Sequence, residues 1–466
     1  LNLQGARTPA AAIVLLGYVA SLVADFPGHF PPDALWQLAQ GRAGRYNTWH
    51  PPIMAWLLGI ADRVHPGAWL FVVLNGALFY GALFAFVALE RRPRPLCLPL
   101  LVLWMASPIV LIFQGVVLKD VLFANAALAG FAALAWAGRS WAKPRCRAAL
   151  VAASLMLFSL ASLARQNGFV VPLFGALALA AVAFERGSSR TGSRIARAAL
   201  WAASALALTG IAAVLASAAL AAHSDRRPED ANHLKVLQVY DLAGALQRDP
   251  ALPLPILHDS QPALERFLRG QAAPHYQPAG ADNLFTLPGA RTMMTPPGDM
   301  VGRQWASLIR LRPWLYAETR ARVWLMTLAT PDPASCPMII TGIDGGDRSL
   351  LRRAGLLARD DAKDDWDDDY ASRFLGGPLY SHEFYGALLL VALGWIAANW
   401  QRGERRAETI VTAAMGVSAL AFTISFFVVS IDCDYRFLYF LDVAAMVAAS
   451  RLVAARSAAP VSGATR

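Results

Sequence analysis

The sequence predicts an all-α polytopic membrane protein with about ten spanning helices and a mixed, mainly helical domain outside the bilayer. Three observations lead there. Charged residues make up only 16% of the 466-residue chain, against roughly 25% in soluble domains. Apolar runs recur at 8–26, 67–89, 96–114, 121–138, 147–164, 169–185, 197–221, 383–400, 407–430 and 435–453. Each approaches the roughly 20 residues that carry a helix across a hydrocarbon core about 30 Å thick, and a cleaved signal peptide would explain only the first. Finally, the basic residues gather in short segments between the runs.

Those segments set the topology. Arg91–Arg94, Arg139–Arg147, residues 185–197, Arg402–Arg406 and the tail from Arg451 read as cytoplasmic loops. The runs between consecutive basic loops then cross in pairs. Lys119-Asp120, residues 165–168, residues 432–436 and the long polar stretch 222–380 face outward. At the start of the chain 8–26 exits, 27–50 lies outside and 67–89 returns. Segment 52–64 is too short to cross and ends in Asp62-Arg63-Val64-His65-Pro66, so it reads as a juxtamembrane or partly inserted helix. Both termini fall in the cytoplasm. The chain divides into a first membrane module, 1–221, an outer domain, 222–380, and a second membrane module, 381–466.

The net charge of +10 would suit nucleic acid in a soluble protein; here the cytoplasmic loops account for it. No phosphate-cradling glycine loop, dinucleotide fingerprint or zincin motif is present. Four cysteines show no metal-binding spacing. Cys97 and Cys146 fall in or beside apolar runs, while Cys336 and Cys433 both face outward, where a disulfide can form although spacing alone does not establish one.

The topology gathers the unusual polar residues on one face. Asp33, His50, Lys119, Asp120, Arg165, Asn167, Asp432, Asp434 and Arg436 all stand at the outer ends of crossings. Ionisable groups at membrane depth are costly and tend to be functional. Bland readings stay open beside this one. Asp33 follows two prolines and suits an acid that caps a helix over about 33–42. His50 suits an interfacial histidine before a proline turn, and Lys119-Asp120 an ion pair at a helix end. Arg165 with Asn167, and Asp432, Asp434 and Arg436, equally suit headgroup contacts. Arginine is also the residue for bidentate phosphate binding. In the outer domain, Tyr240-Asp241 lies in the amphipathic LKVLQVYDLAGALQ, 303–328 reads as an arginine-bearing helix, and the acidic run Asp360–Asp369 reads as solvated surface. The spacing of a calcium loop is absent from that run.

The segment PPDALWQLAQGRAGRYNTWHPPIMAWLLG resembles the first outer loop of GT-C glycosyltransferases that use polyprenyl-phosphate sugars, such as the protein mannosyltransferases and lipid A aminoarabinose transferases. Asp33 matches their acid, His50-Pro51-Pro52 their basic-Pro-Pro element, and Asp120 in VVLKDVLFA their second acid. Arg165-Gln166-Asn167-Gly168, Tyr240-Asp241-Leu242 and Asp434-Tyr435-Arg436-Phe437 look like motifs of the same superfamily. The resemblance implies an inverting glycosyltransferase with Asp33 as general base and Asp120 as second catalytic acid. His50, Lys119, Arg165 and Arg436 would bind the donor phosphate, with Asn167, Tyr240, Asp241, Asp432 and Asp434 as further site residues. It implies a polyprenyl-phosphate sugar donor, a periplasmic glycan, lipid or protein acceptor, a bacterial inner-membrane location with the site facing the periplasm, and no nucleic acid. No cofactor is expected; a divalent metal is admitted but not required. Two rival readings share the residues: a ligase or polymerase with a pyrophosphate-linked donor, and a flippase for a lipid-linked sugar. The absence of a paired internal repeat speaks against the flippase.

Overall fold

The computed structural model describes residues 6–47, 49–90, 92–187, 191–223, 233–343, 348–400 and 406–455. Arg91, residues 402–405 and the tail beyond 455, which the sequence assigns to cytoplasmic loops, lie outside the described residues. Among the described residues the chain is all-α, with only isolated β-bridges such as His29 to Val116 and Phe30 to Ile343.

Seven described helices are long and apolar enough to cross a membrane, eight when a bent pair counts as one. Two shorter apolar helices, Val170–Glu185 and His382–Ala398, stand where the remaining predicted crossings were placed. The expected continuous span 96–114 is corrected by the structure. It breaks at Ser107-Pro108 into Cys97–Ala106 and Pro108–Gly115, bent by 69°. Pro108 has no N–H to offer the preceding turn, and its ring crowds the carbonyl there. The helix expected over 303–328 is likewise two helices, Met300–Leu311 and Pro313–Ala329, parted at Arg312-Pro313 for the same reason.

The most enclosed spans are Lys119–Arg139 and Tyr435–Ala454, each 83% buried. A polar network ties them to their neighbours. Gln114 donates to Tyr439 Oη at 2.7 Å, and Asn125 donates to Gln114 Oε1 at 2.8 Å and to the Asn75 carbonyl at 3.1 Å. Such bonds have no competitor in hydrocarbon and so align helices that apolar contact alone would let slide.

Two short helices, Pro32–Ala43 and Pro52–Val64, lie between the first and second spans. Each begins on a proline, whose fixed φ and missing N–H suit a first turn. The first ends at Gly44, φ 63°, which returns its N–H to the Gln40 and Gly41 carbonyls. The helices touch backbone to backbone: a Cβ on Gly59 would lie 2.6 Å from the Gly41 carbonyl oxygen.

The polar region splits by packing. Residues 236–323 enclose a core of their own, built around Val239, Tyr240, Leu268 and Val323. Met338, Ile343, Leu350, Ala371 and Tyr380 join the core of the membrane helices instead. Arg320 fastens the first part to the membrane part. It is fully buried and pairs with Asp241 at 2.9 Å. It also donates to the carbonyls of Phe427 at 2.8 Å and Ser430 at 2.7 Å. The carbonyl end of the helix Arg406–Val429, which lacks partners within the helix, is capped in this way.

Candidate functional site

Asp33 stands in the first turn of Pro32–Ala43, entered from an extended Pro31. His50 stands two residues before the second short helix, ahead of its N-cap Pro51, and its Nε2 lies 3.4 Å from Asp33 Oδ1. From the far end of the chain, Arg436 Nη1 donates to Asp33 Oδ2 at 2.8 Å, while Nη2 lies 2.7 Å from Asp434 Oδ2. Arg436 is held in place from below. The ring of Tyr435 stacks on His382 at 4.0 Å, and His382 Nδ1 pairs with Asp442 Oδ1 at 2.9 Å.

A second set of cations lies alongside. Leu118 is extended, so the helix begins at Lys119 and leaves Asp120 in its first turn, where a carboxylate is favoured. Lys119 Nζ is 3.6 Å from Asp120 Oδ2, and the Arg165 guanidinium pairs with Asp120 Oδ1. Arg165 also faces the rings of Phe422, Phe426 and Phe437 at 5.8, 5.1 and 5.2 Å. Aromatic faces stabilise a desolvated guanidinium without neutralising it. Asn167 donates to Ser425 Oγ at 2.8 Å.

Two cavities meet at Asp33 and Arg436. One, about 460 Å³, is lined by His50, Lys119, Arg165, Asn167, Phe426 and Phe437 among others. The other, about 730 Å³, has Arg436 as the only cation among its described residues and is lined by Asp33, Asp282, Asp432 and Asp434 with Gln277 and Asn283. Asp33, Asp282, Asp432 and Arg436 line both.

The electrostatics follow from this arrangement. Burial would raise the Asp33 carboxyl, but Arg436 and His50 hold it well below the usual carboxylate range. Burial, with Lys119 adding to it, lowers His50, which is therefore neutral at pH 7. Asp432 is pushed up to about 7 by burial and by the neighbouring charge of Asp434. Asp282 is raised by burial, then by Asp434 and Asp33.

The structure thus brings Asp33, His50, Lys119, Arg165, Asn167, Asp432, Asp434 and Arg436 to one place. Asp120 lies behind them, lining neither cavity and holding Lys119 and Arg165. Tyr240 and Asp241 lie in the core of the polar region. Tyr240 donates to the Gln277 carbonyl at 2.7 Å, and Asp241 holds Arg320, so both shape cavity walls without lining them. Asp282 was not anticipated. It sits in a stretch without periodicity and reaches the site because the Ala281 N–H bonds the Ile431 carbonyl at 2.8 Å. Cys336 and Cys433 form a disulfide, which joins the segment carrying Ser335 to the loop of Asp432 and Asp434. Metal-capable side chains converge elsewhere among the described residues, at Asp25, His29 and Asp367. The acidic run is therefore not all solvated surface: Asp364 and Asp367 are buried.

No family model matches the chain, and no curated protein matches it. Two solved structures are similar in fold. One is the archaeal oligosaccharyltransferase AglB from Archaeoglobus fulgidus, solved with an inhibitory peptide and a dolichol-phosphate. It is 12% identical with a TM-score of 0.39, over 95% of this chain and 50% of that one. The other is ArnT from Cupriavidus metallidurans in the apo state, 14% identical with a TM-score of 0.35, over 94% of this chain and 76% of that one. The chain spans half the length of AglB.

Proposed function

We propose that the protein is an inverting glycosyltransferase that moves a sugar from a polyprenyl-phosphate donor, such as undecaprenyl phosphate, to a glycan, lipid or protein acceptor of the cell envelope. The reaction would take place at the outer face of the bacterial inner membrane. The observation that carries this reading is the place of Asp33, at the junction of a cation-lined and an acid-lined cavity.

The cation-lined cavity suits the donor phosphate. Lys119 and Arg165 share the single carboxylate of Asp120, which leaves a net positive charge in a poorly hydrated wall. Such pre-placed charge stabilises a leaving phosphate as its negative charge grows. The acceptor enters from the other cavity. Its oxygen or nitrogen forms a bond to the anomeric carbon while the bond from that carbon to the phosphate oxygen breaks. The electron pair leaves with polyprenyl phosphate, the acceptor proton passes to Asp33, and one displacement inverts the centre.

A carboxylate held low by Arg436 is a weak base, since a base works best with a pKa near the working pH. Donor binding resolves this. A phosphate beside Arg436 competes for its guanidinium and loosens the pair with Asp33, so the carboxyl rises toward a useful range only when donor is present.

The test is release of polyprenyl phosphate by purified protein from a panel of polyprenyl-phosphate sugars in membrane extract, beside Asp33→Asn. Release by the wild type alone supports the reading. Equal release by the variant removes Asp33 from the chemistry. No release from any monophosphate donor shifts the function to a pyrophosphate-linked donor or to transport, which a flipping assay separates.

A further inference from the structure

The segment leading into Asp33 is tied into a buried cluster of charge that glycosyl transfer does not use. Asp25 ends the first span, His29 follows in the loop, and Asp367 comes from the helix Ala362–Ser372; all three are fully buried. His29 Nε2 lies 3.3 Å from Asp25 Oδ1 and 3.7 Å from Asp367 Oδ2. A four-coordinate zinc with bonds of about 2.0–2.1 Å sets its ligand atoms about 3.3–3.4 Å apart, close to these spacings.

Two further observations point to a missing cation. Both carboxylate oxygens of Asp367 are buried without a hydrogen-bond partner, and a buried charge is costly unless paired. The charges nearby also fail to balance. Asp364 is matched by Arg359 at 2.9 Å, and Lys363 bonds the Phe26 carbonyl, so its one positive charge acts on both Asp25 and Asp367 without pairing directly with either. Asp25 receives the Ser21 hydroxyl at 2.8 Å and otherwise meets the His29 ring at 3.3 Å. Two carboxylates therefore face one imidazole, the charge that a divalent ion neutralises.

We propose that Asp25, His29 and Asp367 hold a structural divalent transition-metal ion, zinc by its mixed nitrogen and oxygen ligands. Ligation through Nε2 places the ring proton on Nδ1; Asp364 Oδ1 lies 3.6 Å away, so a small shift of the ring is needed before that carboxylate accepts it. A carboxylate behind a ligating histidine is the usual supporting arrangement. Nδ1 now accepts the Gly342 N–H at 2.9 Å, and this bond gives way on binding. The ion fastens the Asp33 loop to the helix Ala362–Ser372. The same loop is stitched by His29 N–H to the Gly115 carbonyl at 3.1 Å and Phe30 N–H to the Gly342 carbonyl at 2.8 Å.

The test uses full-length protein purified in detergent without chelator, loaded with zinc and dialysed. Elemental analysis and thermal unfolding are read for wild type, Asp367→Asn and the exposed neighbour Asp368→Asn. About one ion per chain is expected in wild type and Asp368→Asn, and close to none in Asp367→Asn, because a lost ligand removes binding free energy that is also folding free energy. A chelator should lower the wild-type melting temperature, zinc should restore it, and Asp367→Asn should respond to neither. Retention of the ion by Asp367→Asn overturns the site. So does a zinc-loaded wild type that is metal-free and indifferent to chelator, an outcome readable even if the variant does not fold. Neither readout depends on glycosyl transfer.

Discussion

The two cavities share a wall and differ in everything else. The smaller is bordered by cations carried on the ends of membrane helices, with aromatic rings behind Arg165. The larger is bordered by carboxylates and amides carried on loops of the polar region, with a disulfide beside them. The contrast teaches that the cationic wall carries Lys119 and Arg436 on the two most enclosed spans, whereas the acidic wall is built on loops, where substitution is better tolerated. On the proposed function the first would meet a constant phosphate and the second a variable acceptor.

Four experiments break or sharpen that contrast. The largest effect is expected at the shared wall. Asp33→Asn should lower kcat by about 10²–10⁴, the usual contribution of a positioned base, while donor binding measured by titration persists. Next comes the cationic cavity. Arg165→Ala and Lys119→Met should raise KM for the donor by about 10- to 100-fold, since a hydrogen bond to a charged group contributes about 1.5–3 kcal/mol. Equal rises in acceptor KM would show that the cavities are not separate sites. The acidic cavity should respond in the opposite sense. Gln277→Ala and Asn283→Ala, which line this cavity and not the other, should change acceptor KM by about 3- to 10-fold, in line with the roughly 0.5–1.5 kcal/mol of a typical hydrogen bond, and leave donor KM alone.

The smallest effect is a displacement along the pH axis. Asp33 is held below its ordinary range in the free enzyme, so the acid limb of kcat/KM should lie well under pH 4, near which an unperturbed aspartate titrates. If donor phosphate draws Arg436 away, the acid limb of kcat should move to higher pH than that of kcat/KM. Coincident limbs would show that Arg436 stays on Asp33 throughout.

Much of this arrangement was legible in the sequence, for a physical reason. Apolar runs announce where helices leave the bilayer, and a charged residue at such an end stands out against its neighbours. Asp33, Lys119, Arg165 and Arg436 were visible in that way. Asp282 was not, because it opens a helix of only four residues, too short to show periodicity, whose place depends on a backbone bond to Ile431. The acidic run misled for another reason. Its composition says solvent, yet Asp364 and Asp367, three apart on one helical face, are buried while Asp365, Asp368 and Asp369 are exposed. Pro108 and Pro313 were in plain view. Hydropathy alone carried the chain straight through them, where the missing N–H turns it.

The crossing of the two short helices at Gly41 and Gly59 has a consequence for how the protein can change. Peptide groups, not side chains, are in contact there, so no choice of rotamer alters the separation of the segments that present Asp33 and His50. The acid and the imidazole are spaced like marks on a ruler. Sequence drift around the cavities can retune charge and shape, but it cannot stretch that interval without parting the helices themselves.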